Sequence, residues 1–182
     1  MYPAFVLAVA LGLRRGEILG LHWRDVDLGR RTLTVRSTLD RGGKELYLDT
    51  TKNRRARVIP VPLMCVAPLR WQRLRQAGQR SVLGGEWHDS GLVFTTRSGR
   101  PIEPRNLYRS FQRISASASL PPVRLHDTRH GCASLLFASG SAVNAPTIHD
   151  RGGVSADPTR AMQATEGITA LVAYRRCGSC LP

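Results

Sequence analysis

Between Leu21 and Thr32 the spacing of apolar residues changes period, and this change constrains the fold more than any other feature of the chain. Phe5, Val6, Val9, Leu13, Ile18 and Leu21 recur at roughly helical spacing broken at Gly12, which predicts two helices or one bent helix, with Arg14 beginning the second. Thr32-Leu33-Thr34-Val35-Arg36 then alternates strictly, the signature of a half-exposed strand. Two further strands are expected at 45–49 and 57–61, set apart by Gly42-Gly43 and by the basic turn Lys52-Asn53-Arg54-Arg55, so that the three form a small antiparallel sheet.

From Pro62 the period returns to that of a helix. Leu63, Ala67, Trp71 and Leu74 fall on one stripe, Arg70, Arg73 and Arg75 lie largely off it, and Pro68 is a kink position. Leu92-Val93-Phe94 reads as a short strand and Ser98-Gly99-Arg100-Pro101 as a turn. Leu107, Phe111 and Ile114 mark a helix whose other face carries Arg105, Arg109 and Arg113. A final helix opens at Leu125-His126-Asp127-Thr128-Arg129-His130, with Ala133, Leu136 and Phe137 as its apolar side and Gly140 as its C-cap. Beyond it Pro146, Gly152, Gly153 and Pro158 interrupt any period, and a helix is expected no earlier than 161–173. The expected class is α+β, mainly helical, with one domain over 1–140 and an irregular tail over 141–182.

Charge narrows the partner. The 182 residues carry 27 Lys+Arg against 13 Asp+Glu, a net +14, and residues 1–131 alone account for +13. Such a surface suits a polyanion, nucleic acid first. Because 25 of the 27 basic residues are arginine, codon usage is an alternative source of the excess, so placement carries the argument. The Arg105, Arg109 and Arg113 stripe fits a DNA backbone or a solvated helix face equally well.

The four cysteines are too few for a disulfide scaffold in a chain this long, and a reducing cytoplasmic setting is expected. Cys177 and Cys180 have the CxxC spacing of a redox or metal half-site, but no second pair accompanies them. The apolar run from Phe5 to Leu13 is too short to span a bilayer, and no membrane partner is expected.

Three separated segments then add up. Residues 10–27 read Ala-Leu-Gly-Leu-Arg-Arg-Gly-Glu-Ile-Leu-Gly-Leu-His-Trp-Arg-Asp-Val-Asp, residues 51–62 read Thr-Lys-Asn-Arg-Arg-Ala-Arg-Val-Ile-Pro-Val-Pro, and residues 125–130 read Leu-His-Asp-Thr-Arg-His. They resemble, in order, the first arginine box, the lysine-bearing hairpin and the His-x-x-Arg box of the tyrosine recombinases, the phage-type integrases. Thr128 stands where leucine is more usual. The resemblance covers roughly residues 4–140. It implies the mainly helical catalytic domain of that family with its small sheet, acting on duplex DNA and alongside other protomers, with no small-molecule substrate, no metal and no cofactor. A DNA-clamping domain normally precedes the first arginine box, and here it is expected to be absent.

The chemistry agrees with the resemblance. In-line attack on a phosphodiester builds charge on two non-bridging oxygens, which Arg14 and Arg129 can each meet with paired planar donors. His126 precedes Arg129 by three residues, so both project from one helix face towards the same phosphate. Lys52 is one of only two lysines, and crowding among cations lowers an ammonium pKa, which suits the donor of a proton to the leaving oxygen. Glu17, three residues after Arg14, can hold an arginine in register or form a plain surface ion pair. His130 is a second donor or a packing histidine. Its i+4 spacing from His126 matches zinc sites, but no glutamate follows His126 directly and Arg129 stands between. Arg54, Arg55, Arg105 and Arg109 are expected on the DNA backbone.

Family members place a further histidine or tryptophan in a Leu-Gly-His pattern and then the nucleophilic tyrosine. His149 stands near the first position without its Leu-Gly context, and no tyrosine occurs between Tyr108 and Tyr174. Tyr174, later than the family spacing, is the in-chain candidate nucleophile. Two functions follow as expectations: strand cleavage and rejoining in recombination by an incomplete catalytic unit, or a catalytically silent DNA-binding remnant. The loss of pattern after Asn144 suggests a truncated or out-of-frame ending.

Overall fold

The computed structural model describes residues 1–43, 45–50, 56–117 and 124–128. Helix α1 (Tyr2–Leu11) is apolar all round and buried from Pro3 to Val9, as a helix must be when protein covers it on every side. It ends at Gly12, whose φ of 58° and ψ of 31° reverse the chain at little steric cost, and α2 (Arg15–Leu19) follows. The expected break at Gly12 therefore separates two helices.

A short 3-10 turn (Trp23–Asp25) leads into β1 (Val26–Asp27) and β2 (Thr32–Val35), where Leu33 and Val35 point inward as the alternation requires. β2 also pairs antiparallel with β5 (Arg57–Pro60), Leu33 opposite Ile59 and Val35 opposite Arg57, giving a three-stranded sheet of order β1-β2-β5. The segment at 45–49, expected as one of its three strands, lies elsewhere. β4 (Glu45–Thr50) pairs with β3 (Ser37–Gly42) in a separate two-stranded ribbon, Gly42 opposite Glu45. The tight turn at Gly43 gives β4 a partner only a few residues back, and β2 is left to meet β5. β3 escapes a periodicity reading because Leu39 is the single apolar residue among Ser37-Thr38-Leu39-Asp40-Arg41.

Helix α3 (Leu63–Leu83) runs on through Pro68, but its buried face is not the expected stripe. Leu63, Trp71 and Leu74 are exposed, whereas Cys65, Val66, Pro68, Leu69, Gln72 and Gln76 are buried. The two glutamines decide the face. Gln72 Nε2 donates to the Val93 carbonyl at 2.8 Å, and Gln76 Nε2 donates to the Leu92 carbonyl at 3.1 Å and to Thr95 Oγ1 at 2.8 Å. They satisfy a buried irregular segment that apolar side chains would leave unpaired. That segment, Leu92–Phe94, is not a strand: Leu92 makes an isolated bridge to His22. Helix α4 (Pro104–Ser117) buries Pro104, Leu107, Phe111 and Ser115, with Phe111 against Phe5 of α1 at 5.7 Å between ring centroids. Residues 141–182, expected as an irregular tail, lie outside the described residues.

Candidate functional site

The site is built where α1 hands over to α2. Gly12 turns the chain, Leu13 is buried as an anchor, and Arg14 takes an extended conformation at the N-cap of α2 with φ −68° and ψ 151°. Its carbonyl begins the helix by accepting from Ile18 N–H at 3.0 Å. Glu17 reaches back from the first turn and accepts the Arg14 N–H on Oε2 at 2.9 Å, which satisfies a donor that the helix cannot. Its Oε1 also faces the Arg14 guanidinium, 3.3 Å from Nη1.

Glu17 is no surface ion pair. Its side chain is 1% exposed, and Arg57 of β5 donates Nη2 to its Oε2 at 2.7 Å. Burial alone would raise the carboxyl pKa. The hydrogen bonds from Arg57 and from the Arg14 backbone, reinforced by both positive charges, more than offset this and hold it below its ordinary value. Glu17 is therefore a carboxylate at neutral pH, and it fixes one end of Arg14 while that side chain stays 40% exposed.

Arg14 lines a cleft of about 380 Å³ together with Leu13, Arg15, Gly16, Tyr108, Arg124, Leu125 and His126. Three arginines and a histidine face a space large enough for a phosphate group, and among the described residues no carboxylate lines it. Two local bonds shape the turn that carries His126. Arg124 N–H donates to Asp127 Oδ2 at 2.8 Å, and Thr128 Oγ1 donates to the Leu125 carbonyl at 2.7 Å. That last bond explains how threonine occupies a fully buried position suited to leucine: its hydroxyl is satisfied within the turn.

Of the residues expected at the site, Arg14, Glu17 and His126 are described, and Arg14 and His126 share the cleft. Arg105 and Arg109 lie exposed on α4, one on each side of Tyr108 in sequence. Lys52, Arg54, Arg55, Arg129, His130, His149 and Tyr174 fall outside the described residues. Arg15, Arg57, Tyr108 and Arg124 are additions. Arg57 had a signal in the alternation of β5, where Arg57 and Ile59 are half-buried while Val58 and Pro60 are exposed. Among the described residues no three of His, Cys, Asp and Glu gather as metal ligands, and no helix is long and apolar enough to cross a membrane.

Comparison with known proteins gives this arrangement its context. Residues 2–154 match the model of the phage integrase family. A XerC-like tyrosine recombinase of Caldanaerobacter subterraneus is 33% identical over 150 residues, covering 75% of this chain and 38% of that protein. A putative prophage phiRv2 integrase of Mycobacterium tuberculosis is 30% identical over 146 residues, covering 78% and 37% respectively. The chain thus spans about two fifths of the length of these relatives. The fold is similar to that of the Tn1549 transposon integrase in complex with a circular intermediate DNA, with a TM-score of 0.63 at 21% identity over 94% of this chain and 52% of that one. The XerA recombinase is a second neighbour, with a TM-score of 0.56 at 21% identity, 98% of this chain and 53% of that one. A match over residues 2–154, together with relatives at this identity, makes the chain a member of the phage integrase family of tyrosine recombinases.

Proposed function

We propose that the chain binds duplex DNA and supplies the phosphate-activating part of a strand cleavage and rejoining site in site-specific recombination. One observation carries the reading: Arg14, braced by a buried carboxylate, and His126, one hundred and twelve residues later, line the same cleft, to which the described residues contribute no carboxylate. A phosphodiester seated there meets the Arg14 guanidinium on one non-bridging oxygen, and the fixed cation stabilises the charge that grows as the phosphorus becomes pentacoordinate. In this scheme Arg129 takes the second oxygen, His126 donates to the phosphate, His130 is an auxiliary donor, and Lys52 protonates the departing 5′ oxygen. Attack by a tyrosine forms a 3′-phosphotyrosyl bond and frees the 5′-hydroxyl; reversal on a partner strand restores the phosphodiester. The ester linkage is conserved throughout, so the scheme uses neither a nucleotide cofactor nor a metal.

Arg105 and Arg109, exposed on α4 beside the cleft residue Tyr108, together with Arg54 and Arg55, are assigned to the DNA backbone in this scheme. The tyrosine is Tyr174 or one supplied by another protomer. A second reading, a DNA-binding remnant without strand transfer, is favoured by the lack of any tyrosine between Tyr108 and Tyr174. The first test is binding of a short labelled duplex, followed by anisotropy across a salt series. Arg14→Gln should weaken binding and lower the salt slope by about one phosphate contact. Unchanged affinity and slope would show that the cleft does not hold a DNA phosphate.

A further inference from the structure

Arg57 belongs to no part of the scheme above, yet it is the third member of the Glu17 cluster. It comes from β5, forty residues after Glu17, and its Nη2 shares Oε2 of Glu17 with the Arg14 backbone N–H, at 2.7 and 2.9 Å. Glu17 is fully buried, so its carboxylate can hold Arg14 in place only if its own charge is matched inside the protein. The Arg14 guanidinium is a weak match for it, 3.3 Å away and 40% exposed. The Arg57 guanidinium is nearer and 24% exposed, so the stronger, drier ion pair is the one made by the arginine outside the cleft lining. Arg57 is also absent from the cleft lining, and its buried Nε has no hydrogen-bond partner among the described residues.

We infer that Arg57 is a positioning residue for the phosphate cleft: by satisfying Glu17 it leaves the Arg14 guanidinium free to turn towards a phosphate while the Arg14 backbone stays pinned. This rests on the reading of the cleft as a DNA-phosphate site. The arrangement divides labour between two arginines. One neutralises the brace, and the other keeps its charge for the ligand. It also ties the cleft to the strand that follows the Lys52 segment, because Arg57 lies five residues after Lys52.

The test uses the full chain and two measurements on Arg57→Gln and Arg57→Lys, each variant first checked for folding by thermal melt. The first needs no DNA: ¹⁵N relaxation of the Arg14 backbone N–H. In Arg57→Gln the unmatched carboxylate takes up a proton or draws in the Arg14 side chain, and the order parameter at Arg14 is expected to fall towards the flexible range, below about 0.6. Arg57→Lys, which keeps the charge and one donor, should restore it. An unchanged Arg14 order parameter in folded Arg57→Gln overturns the inference. If Arg57→Gln fails to fold, the same comparison is made between Glu17→Gln and Glu17→Gln/Arg57→Gln, neither of which buries an unmatched carboxylate. Because Arg57 acts through the Glu17 charge, the pair should fold and hold Arg14 as the single variant does; a pair that still fails to fold, or a more mobile Arg14 in it, overturns the inference.

The second measurement is duplex binding across a salt series. Arg57→Gln should weaken binding roughly tenfold, as should Arg14→Gln, and the double variant should be no weaker than Arg14→Gln alone because both act through one contact. Additive losses, with the salt slope falling by two contacts, would make Arg57 a direct phosphate ligand and overturn the positioning role. If Arg14→Gln leaves DNA binding intact, the phosphate-site reading fails, while the relaxation result still reports whether Arg57 positions Arg14.

Discussion

The Trp23 indole N–H donates to Gln76 Oε1 at 2.6 Å, joining the turn after α2 to the middle of α3 across fifty-three residues of chain. The same amide gives its N–H groups to the Leu92 carbonyl and to Thr95 Oγ1, so one buried side chain satisfies three groups from two loops. Gln76→Leu keeps the volume but leaves the indole, a carbonyl and a hydroxyl to find other partners. A loss of about 2–4 kcal/mol in unfolding free energy is expected, read from urea denaturation. A loss under about 0.5 kcal/mol would mean that water replaces the amide readily and that this joint does not organise the fold.

That joint also shows where a sequence reading stops. α3 offers two candidate faces, and the stripe of Leu63, Ala67, Trp71 and Leu74 is the more apolar one. Periodicity weighs side chains against bulk water. It has no means of knowing that Gln72 and Gln76 will meet unpaired carbonyls of a loop some twenty residues on, nor that Arg75 will lie over the exposed Trp71 ring at 5.6 Å. By contrast the break at Gly12, strands β2 and β5, and the basic outer face of α4 were legible, because each depends on local conformation or on a single period. That Arg14 and His126 would share one cleft was legible through their motifs. Burial of Glu17 was not: the i+3 relation to Arg14 is visible in the sequence, but the partner that keeps the carboxylate ionised inside the protein, Arg57, arrives on a different element.

Acid should expose this brace. Glu17 has its folded-state pKa held below the ordinary 4.5, so it binds a proton more weakly folded than unfolded. Its contribution to stability is therefore fully present above about pH 4.5 and is lost as pH falls through the lower folded value. Denaturation midpoints measured from pH 7 to pH 3 should decline below about 4.5 in the wild type, and the decline should be shallower in Glu17→Gln, which is itself less stable at pH 7. Parallel curves for the two proteins would show that the carboxylate does not titrate differently in the two states.

The contact between α2 and β3 leaves no room for a side chain at Gly20. A Cβ there would lie 2.9 Å from both Leu39 N and Ser37 O, and neither backbone atom can move away cheaply. Ser37 Oγ further ties the two elements by donating to the Gly20 carbonyl at 2.8 Å. Gly20→Ala should cost about 1–3 kcal/mol and lower the melting temperature by several degrees, since overpacking here pushes β3 off the helix that presents Arg14 and Glu17. A melting temperature equal to that of the wild type would show that the ribbon shifts freely.

Arg105 and Arg109 are exposed on α4, and removing them should change DNA binding without changing the fold. Arg105→Gln/Arg109→Gln is expected to melt within a degree or two of the wild type. It should bind a duplex more weakly by a similar factor for any sequence, with a salt slope reduced by about two contacts. A change in sequence preference would place these side chains at base edges instead, and an unchanged slope would return them to a solvated helix face.

Strand cleavage asks for more than a charged cleft. Cations that neutralise a phosphate and a lysine that protonates the leaving oxygen lower the barrier only if a nucleophile is held in line, and groups acting as a unit lose most of their effect when one is missing. A phenol with a pKa near 10 also needs the activated phosphate beside it before it attacks at neutral pH. Tyr174 is the only tyrosine after the His-x-x-Arg segment, and the sequence before it is broken by Pro146, Gly152, Gly153 and Pro158, with little pattern to fix the phenol. The expected outcome with a nicked suicide substrate is therefore little covalent complex from this chain alone. Adding a second recombinase protomer that carries its own tyrosine should raise the yield if the cleft here can serve in trans. Efficient trapping by the chain alone that disappears in Tyr174→Phe would show instead that its own tail completes the site, because only a phenol seated within reach of the Arg14 cleft could form that bond.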